Sequence, residues 1–157
     1  MIVVADTGPV NYLILIDAVE VLAPLFGKVL VPEAVLVELL DLDAPPKVRD
    51  WSANPPTWFE ITENPIESPG LDRLDPGERA AMSLAVERKA DLLLLDERAG
   101  RAEAARRSIP VIGTLGVLVE AHTIGLLDFD EAVTRLKFTS CRISAELETA
   151  ARSRLSR

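Results

Sequence analysis

The chain has 157 residues, of which 48% are hydrophobic and 27% are charged, a composition typical of one globular domain. No apolar run approaches the ~20 residues that a membrane-spanning helix needs, no signal peptide is visible, and a single cysteine excludes an internal disulfide. These features favour a cytoplasmic protein with no membrane partner. The net charge of −8 argues against a general nucleic-acid-binding protein.

The charge is unevenly distributed along the chain. Residues 1–75 hold 13 acids and 4 bases, whereas residues 76–157 hold 12 acids and 13 bases. Four arginines of the second segment cluster together: Arg98, Arg101, Arg106 and Arg107. Arginines of this kind are commonly solvated residues on helix faces, and a nuclease with an acidic centre would also need them. The sequence leaves both interpretations open.

Short apolar runs alternate with helical segments along the chain. In chain order, the runs rich in Val, Leu and Ile predict strands over residues 2–5, 29–31, 58–61, 92–95 and 110–112. Helices are predicted over residues 11–16, 17–25, 33–40, 48–51, 75–89, 97–107 and 115–124, then from 128 and over 145–155. This alternation indicates a parallel sheet with helices on both faces, so the predicted fold is α/β and doubly wound.

Several helix starts carry capping signals. Three predicted starts have an aspartate followed three residues later by a glutamate, the spacing of a capping box: Asp17 with Glu20, Asp75 with Glu78, and Asp128 with Glu131. Ser144 is placed to cap the final helix.

The stretch 43–74 is rich in proline and holds both tryptophans. Because proline interrupts regular structure, we predict an irregular insertion with one short helix and one strand, and not a separate domain. The chain is therefore predicted to form a single domain over residues 1–157, with this insertion at 43–74 and C-terminal helices at 128–157.

Two aspartates directly follow predicted strands. Asp6 comes after the run that ends at Ala5, and Asp96 follows the four leucines of residues 92–95. Parallel strands place both carboxylates at the same edge of the sheet. Like charges raise each other's pKa, and a divalent cation is one reason to bring them together, since Mg²⁺ prefers carboxylate oxygens and water.

Two glutamates are candidates for the same edge. Glu38 lies in an apolar helix, where it either occupies a thin exposed side or turns into a polar site. The spacing of Glu78 from Asp75 favours a helix cap, although a carboxylate on a first helical turn can also face the crevice. Thr7 and Thr114 lie near the same edge, where capping is the first expectation and contact with phosphate or metal-bound water the second.

Other catalytic classes lack a required feature. The Asp-Thr-Gly triplet at residues 6–8 matches an aspartic-protease loop, but that site needs two such loops in an all-β protein. A phosphoacceptor receiver domain would need a lysine where Gly113 and Thr114 stand. The one histidine, His122, lies in a predicted helix without a nucleophile elbow elsewhere, and one histidine with one cysteine argues against zinc.

Four segments together resemble a PIN-domain protein: VVADTGPVNYL, LVPEAVLVELL, LDPGERAAMSLAVERKADLLLLDERAGR and IPVIGTLGVLVEA. The similarity extends from about Ile2 to Leu126 and points to a bacterial and archaeal branch related to toxin nucleases. The third family acid is more usually an aspartate in the toxin nucleases, whereas a glutamate stands here. The four positions that match the family's acids are Asp6, Glu38, Glu78 and Asp96.

The resemblance implies a single PIN-like domain that cleaves RNA with Mg²⁺ or Mn²⁺. Asp6 and Asp96 are expected as metal ligands, and the two glutamates as ligands or as bases that orient the attacking water. The expected substrate contacts are Thr7, Arg98, Arg101 and Thr114. A homodimer and a cognate antitoxin of a toxin–antitoxin pair are also implied. The alternative is a PIN-like module that binds protein or RNA without turnover.

Overall fold

The computed structural model describes residues 1–155, so Ser156 and Arg157 of the predicted domain lie outside the described residues. One sheet contains five strands: β1 Val3–Ala5, β2 Val29–Pro32, β3 Phe59–Thr62, β4 Leu92–Leu94 and β5 Val111–Ile112. Their spatial order is β3-β2-β1-β4-β5, and every neighbouring pair is parallel. The fold is α/β, as the alternating pattern predicts.

Helices connect the strands and extend beyond the last of them. Within residues 1–155 the α-helices are α1 Thr7–Leu15, α2 Leu22–Phe26, α3 Glu33–Leu39, α4 Pro46–Ala53, α5 Pro76–Arg88, α6 Arg98–Arg106, α7 Thr114–Thr123, α8 Phe129–Lys137 and α9 Ala145–Leu155. The chain moves outward from β1 to β2 and β3, then returns to place β4 on the other side of β1. A crevice forms at such a reversal, beyond the carboxyl ends of the strands.

The two strands that meet at this reversal are firmly held in the core. All three residues of β1 are fully buried, and so are Leu93 and Leu94 of β4. Burying one such side chain contributes about 1.5–3 kcal/mol. The ends of β1 and β4 are therefore well-fixed points from which to position side chains.

The proline-rich stretch 43–74 continues the sheet. It contributes α4 and the edge strand β3, which pairs with β2 over four residues. Trp51, Trp58 and Phe59 pack together there, with ring centroids 5.0 to 6.0 Å apart. The predicted short helix and strand are both present.

Three of the four helix caps predicted at aspartate or serine are present in the structure. Asp75 Oδ1 accepts a hydrogen bond from the Glu78 N–H at 2.8 Å and starts α5, and Asp128 Oδ2 accepts one from the Glu131 N–H at 2.9 Å and starts α8. Ser144 Oγ accepts one from the Leu147 N–H at 3.1 Å in α9. These three predictions are confirmed.

The cap predicted at Asp17 is wrong. Asp17 adopts a left-handed φ of +59°, and its carboxylate pairs with Lys47 at 2.6 Å. A 3-10 turn over Val19–Val21 follows, and α2 begins only at Leu22. An ion pair across the fold therefore replaces the local capping bond.

The C-terminal helices pack against α7. α9 buries Ala151 and is tied down by ion pairs that include Arg154 with Glu120 and Lys137 with Glu148. The histidine has a structural role, because His122 Nδ1 accepts a hydrogen bond at 3.0 Å from the first N–H of α8. No helix in residues 1–155 is long and apolar enough to cross a membrane.

Candidate functional site

Asp6 stands at the carboxyl end of β1 and at the start of α1. Its backbone N–H donates to the Leu94 carbonyl at 3.0 Å, which ties it to β4, and the residue is only 4% exposed. Its side chain makes no capping hydrogen bond to α1, and its Oδ1 has no hydrogen-bond partner among residues 1–155. A buried polar atom without a partner costs free energy, so this oxygen has unused acceptor capacity.

Glu38 turns from α3 into the site, which decides between the two positions that the sequence left open. The Thr7 hydroxyl donates to Glu38 Oε1 at 2.6 Å, and the Gly77 N–H donates to Oε2 at 2.8 Å. A Cβ atom on Gly77 would overlap this carboxylate. Glycine at the start of α5 therefore lets the backbone bind Glu38 directly.

Glu78 also faces the site, although its backbone belongs to the predicted cap. Asp75 caps α5 through the Glu78 N–H, while the Glu78 side chain is buried and its Oε2 has no partner within the described chain. Burial raises the pKa of Glu78 to about 8, and the hydrogen bond and charge of Asp75 act in the same direction, as do the charges of Asp6 and Glu97. The Asp75 half of the capping box is formed, whereas the Glu78 side chain lies among the other acids.

Asp96 is held at the opposite side of the crevice by the first turn of α7. It comes two residues after the end of β4, not one as predicted, because Leu95 lies between them. The Thr114 N–H donates to Asp96 Oδ1 at 2.8 Å, and the Thr114 hydroxyl donates to Oδ2 at 2.7 Å. Both carboxylate oxygens are therefore fixed by one residue.

These acids are close enough to perturb one another. Burial is the main reason that the pKa of Asp6 rises to about 7. The negative charges of Asp75, Glu38 and Asp96 raise it as well, and the Thr7 backbone N–H opposes them. The structure thus brings the four predicted acids to one edge of the sheet.

The other predicted site residues, two threonines and two arginines, differ in what they contact. Thr7 and Thr114 do not cap their helices through their side chains but bind carboxylates, so the capping expectation is wrong for both. Arg101 lies 4.0 Å from Asp96. Arg98 is exposed at the start of α6, and no ion pair between it and these acids is seen within residues 1–155.

Two acids at the site were missed from the sequence alone. Asp75 and Glu97 both act on the pKa of Glu78. Glu97 directly follows Asp96 in the chain, and that adjacency was a usable signal. The site role of Gly77 had no signal, because it depends on α3 and α5 meeting in three dimensions.

A family model of the PIN domain matches residues 2–157. The chain belongs to the PIN-domain family. No curated protein and no solved structure gives a match. PIN domains are typically nucleases and generally use divalent metals.

The carboxylates of this PIN domain suit a metal that is held by few protein ligands. Within residues 1–155 no group of three or more His, Cys, Asp or Glu side chains forms a ready metal shell. Mg²⁺ commonly binds through one or two carboxylates and keeps several waters. The partnerless oxygens of Asp6 and Glu78 are hard donors of that kind, so the donor set fits a hydrated divalent cation.

The Asp-Thr-Gly triplet of this PIN domain is not an aspartic-protease loop. It joins a buried parallel strand to a helix, in an α/β sheet, and it occurs once in the chain. Its aspartate faces other carboxylates from α3, α5 and the turn after β4.

Proposed function

We propose that this PIN domain is a metal-dependent endoribonuclease that hydrolyses phosphodiester bonds in RNA. The observation that supports this most strongly is the pair of buried acids, Asp6 and Glu78, each with one oxygen that lacks a partner in the described chain. Leaving a buried polar group unsatisfied costs about 1–3 kcal/mol, and a bound hard cation would offset that cost. Mg²⁺ or Mn²⁺ is the proposed cofactor.

In this proposal the four acids share the work of holding the cofactor and orienting water. Asp6 and Glu78 offer free oxygens to the cation, and Glu38 and Asp96 are kept in place by hydrogen bonds. A carboxylate has about four lone-pair sites, so the held acids can still accept protons from the attacking water or bind the cation. The bound metal would supply a water of lowered pKa and charge on the phosphate oxygens.

RNA is the proposed substrate, and local basic charge is the proposed means of attracting it. The protein has a net charge of −8, so a polyanion must approach through a basic segment. Arg98 and Arg101 are three residues apart on α6 and share a helix face beside the site. Thr7 and Thr114 contact acids and are proposed to reach the substrate or a metal-bound water from there.

We further propose a cytoplasmic toxin of a toxin–antitoxin pair that forms a homodimer and is bound by a cognate antitoxin. The apolar helices α1 and α2 bury side chains within the domain and cannot supply the whole contact. Val37 in α3 and Leu42 just after it are 66% and 84% exposed, and we propose that they take part in the contact. Sedimentation should show a dimer at tens of micromolar, and a monomer there would contradict the homodimer.

The second candidate is a PIN-like module that binds RNA or protein without cleaving. The lack of a ready shell of three metal ligands within residues 1–155 favours it. A protein that binds Mn²⁺ yet cleaves no RNA would establish this alternative.

The test is cleavage of a structured RNA pool by purified protein with Mn²⁺, compared with EDTA. Asp6→Asn removes a site carboxylate and should abolish cleavage. Asp128→Asn is the matched control, because it neutralises a helix-capping aspartate far along the chain and asparagine caps equally well. Cleavage that persists in EDTA or in Asp6→Asn would contradict the proposal.

A further inference from the structure

Arg101 is a cation built into the acidic edge of the sheet. Its Nη2 lies 4.0 Å from Asp96 Oδ1, and its Nε donates a hydrogen bond to the Leu95 carbonyl at 3.2 Å. The Nε bond fixes the guanidinium plane, whereas 4.0 Å is too long for a hydrogen bond. No hydrogen bond donated by the Nη groups is seen within residues 1–155, so these donors are available to a ligand.

A glycine on the neighbouring element makes room for this side chain. A Cβ atom on Gly113 would overlap Arg101 Nη2 and would lie 2.7 Å from Asp96 Oδ1. The position of the guanidinium beside Asp96 therefore depends on the absence of a side chain at residue 113.

A guanidinium at this position has a specific use in phosphodiester chemistry. Its planar fork of N–H donors matches the oxygens of a phosphate. A phosphodiester that approaches several carboxylates is repelled, and positioned cations stabilise the charge on its oxygens in the transition state. Beside Asp96, Arg101 can reduce the repulsion and stabilise the charge on the phosphate oxygens in the transition state.

We propose that Arg101 binds the non-bridging oxygens of the scissile phosphodiester and that Gly113 keeps its guanidinium in place. This inference rests on the proposed nuclease function. It separates two arginines that the sequence could not distinguish. Arg101, which is held by Leu95 beside Asp96, contacts the reacting phosphate, whereas Arg98 contributes only to attraction of the substrate.

The kinetic test compares three arginines on α6 with Mn²⁺ present. Arg101→Ala should lower kcat by about 100-fold or more, the loss expected when one transition-state donor is removed. Arg98→Ala should raise KM and leave kcat unchanged. Arg106→Ala is the matched control, because Arg106 is exposed at the far end of the helix and pairs with Glu103.

Two further measurements separate phosphate binding from a structural effect, and a third tests the role of Gly113. Millimolar guanidinium should restore part of the kcat of Arg101→Ala and none of that of Asp6→Asn. The rise in melting temperature on adding Mn²⁺ should be at least as large in Arg101→Ala as in wild type, because the variant removes a positive charge beside Asp96. Gly113→Ala should repeat the loss of kcat although Arg101 is still present.

The outcomes distinguish this inference from the function on which it rests. Three results for Arg101→Ala would each overturn the inference: a wild-type kcat, a change in KM alone, or the loss of the melting increment with Mn²⁺. Cleavage by the wild-type protein would still support the nuclease proposal. If wild type cleaves no RNA, the nuclease proposal fails. Anisotropy of labelled single-stranded RNA then decides, since Arg101→Ala must weaken RNA binding if its guanidinium contacts a phosphate, and unchanged binding would overturn the inference.

Discussion

The two halves of the acidic site are built in opposite ways. Glu38 and Asp96, the held pair, are partly exposed, and threonine hydroxyls and backbone N–H groups donate to their oxygens. Asp6 and Glu78, the open pair, are buried, and each has an oxygen without a partner in residues 1–155. Burial raises the pKa values of the open pair to about 7 and about 8.

This difference shows how four similar residues at one edge can have separate tasks. The held pair is oriented before any ligand arrives, so little reorganisation is needed when one binds. The open pair carries an electrostatic and desolvation cost that only a cation or a proton relieves. Fixed geometry and unsatisfied binding capacity are thus placed on different side chains.

The largest expected effect is the loss of RNA cleavage when either pair loses a charge. Asp6→Asn in the open pair and Asp96→Asn in the held pair should each reduce the rate at least ~100-fold, because metal-held charge stabilisation is lost. Rates are measured with Mn²⁺, with Asp128→Asn as the control. Wild-type rates in either variant, after exclusion of contaminating nuclease, would show that the site is wrongly assigned.

The second effect concerns stabilisation by metal. A cation bound only by the folded state stabilises it by about 2.7 kcal/mol at one hundred times Kd. Asp6→Asn should lose most of this stabilisation. Thr114→Val, which removes the hydroxyl that donates to Asp96, should retain it. Thermal melts with EDTA and with Mn²⁺ measure both. An equal increment in Asp6→Asn and wild type would mean that the open pair binds no metal.

Much of this arrangement was predictable because it depends on residues that are neighbours in the chain. Asp6 and Asp96 follow short apolar runs, and the parallel order of the strands brings such ends together. Asp75 caps α5 as the spacing predicts. The pattern failed where distant segments decide the outcome, as at Asp17, whose carboxylate binds Lys47 instead of a helix.

The difference in role between Arg101 and Arg98 was not predictable, because it also depends on distant segments of the chain. Both are arginines on one helix face, and sequence spacing treats them alike. Only the approach of α6 to the Leu95 carbonyl and to Gly113 selects Arg101. Likewise, no pattern in the chain indicates which carboxylates keep an unpaired oxygen, since that depends on which donors the fold brings near them.

A smaller effect should follow from removing one hydrogen bond of the held pair. Thr114 is 2% exposed, and its hydroxyl donates to Asp96. Thr114→Val should lower the free energy of unfolding by about 1.5 kcal/mol, the lower end for a bond to a charged group, because the Thr114 N–H bond persists. Thr134→Val is the control, since that hydroxyl binds an exposed backbone carbonyl. Equal losses in urea unfolding would contradict a special role for the held pair.

The metal-free protein should also show a pH-dependent stability, and the open pair determines its sign. Carboxyl groups have pKa values of about 4 in an unfolded chain, whereas Asp6 and Glu78 reach about 7 and about 8 when folded. Between these values the folded state binds more protons than the unfolded state, so stability falls as pH rises from about 4 and levels off above about 8. Urea unfolding in EDTA across this range should show the fall in wild type and in Asp128→Asn. The double variant Asp6→Asn, Glu78→Gln should show a flatter profile, and because all other groups are common to both proteins, their contribution largely cancels in the difference. If the wild-type and double-variant profiles stay parallel, the open pair does not titrate in this window, and its two carboxylates are satisfied by groups other than a proton or a cation.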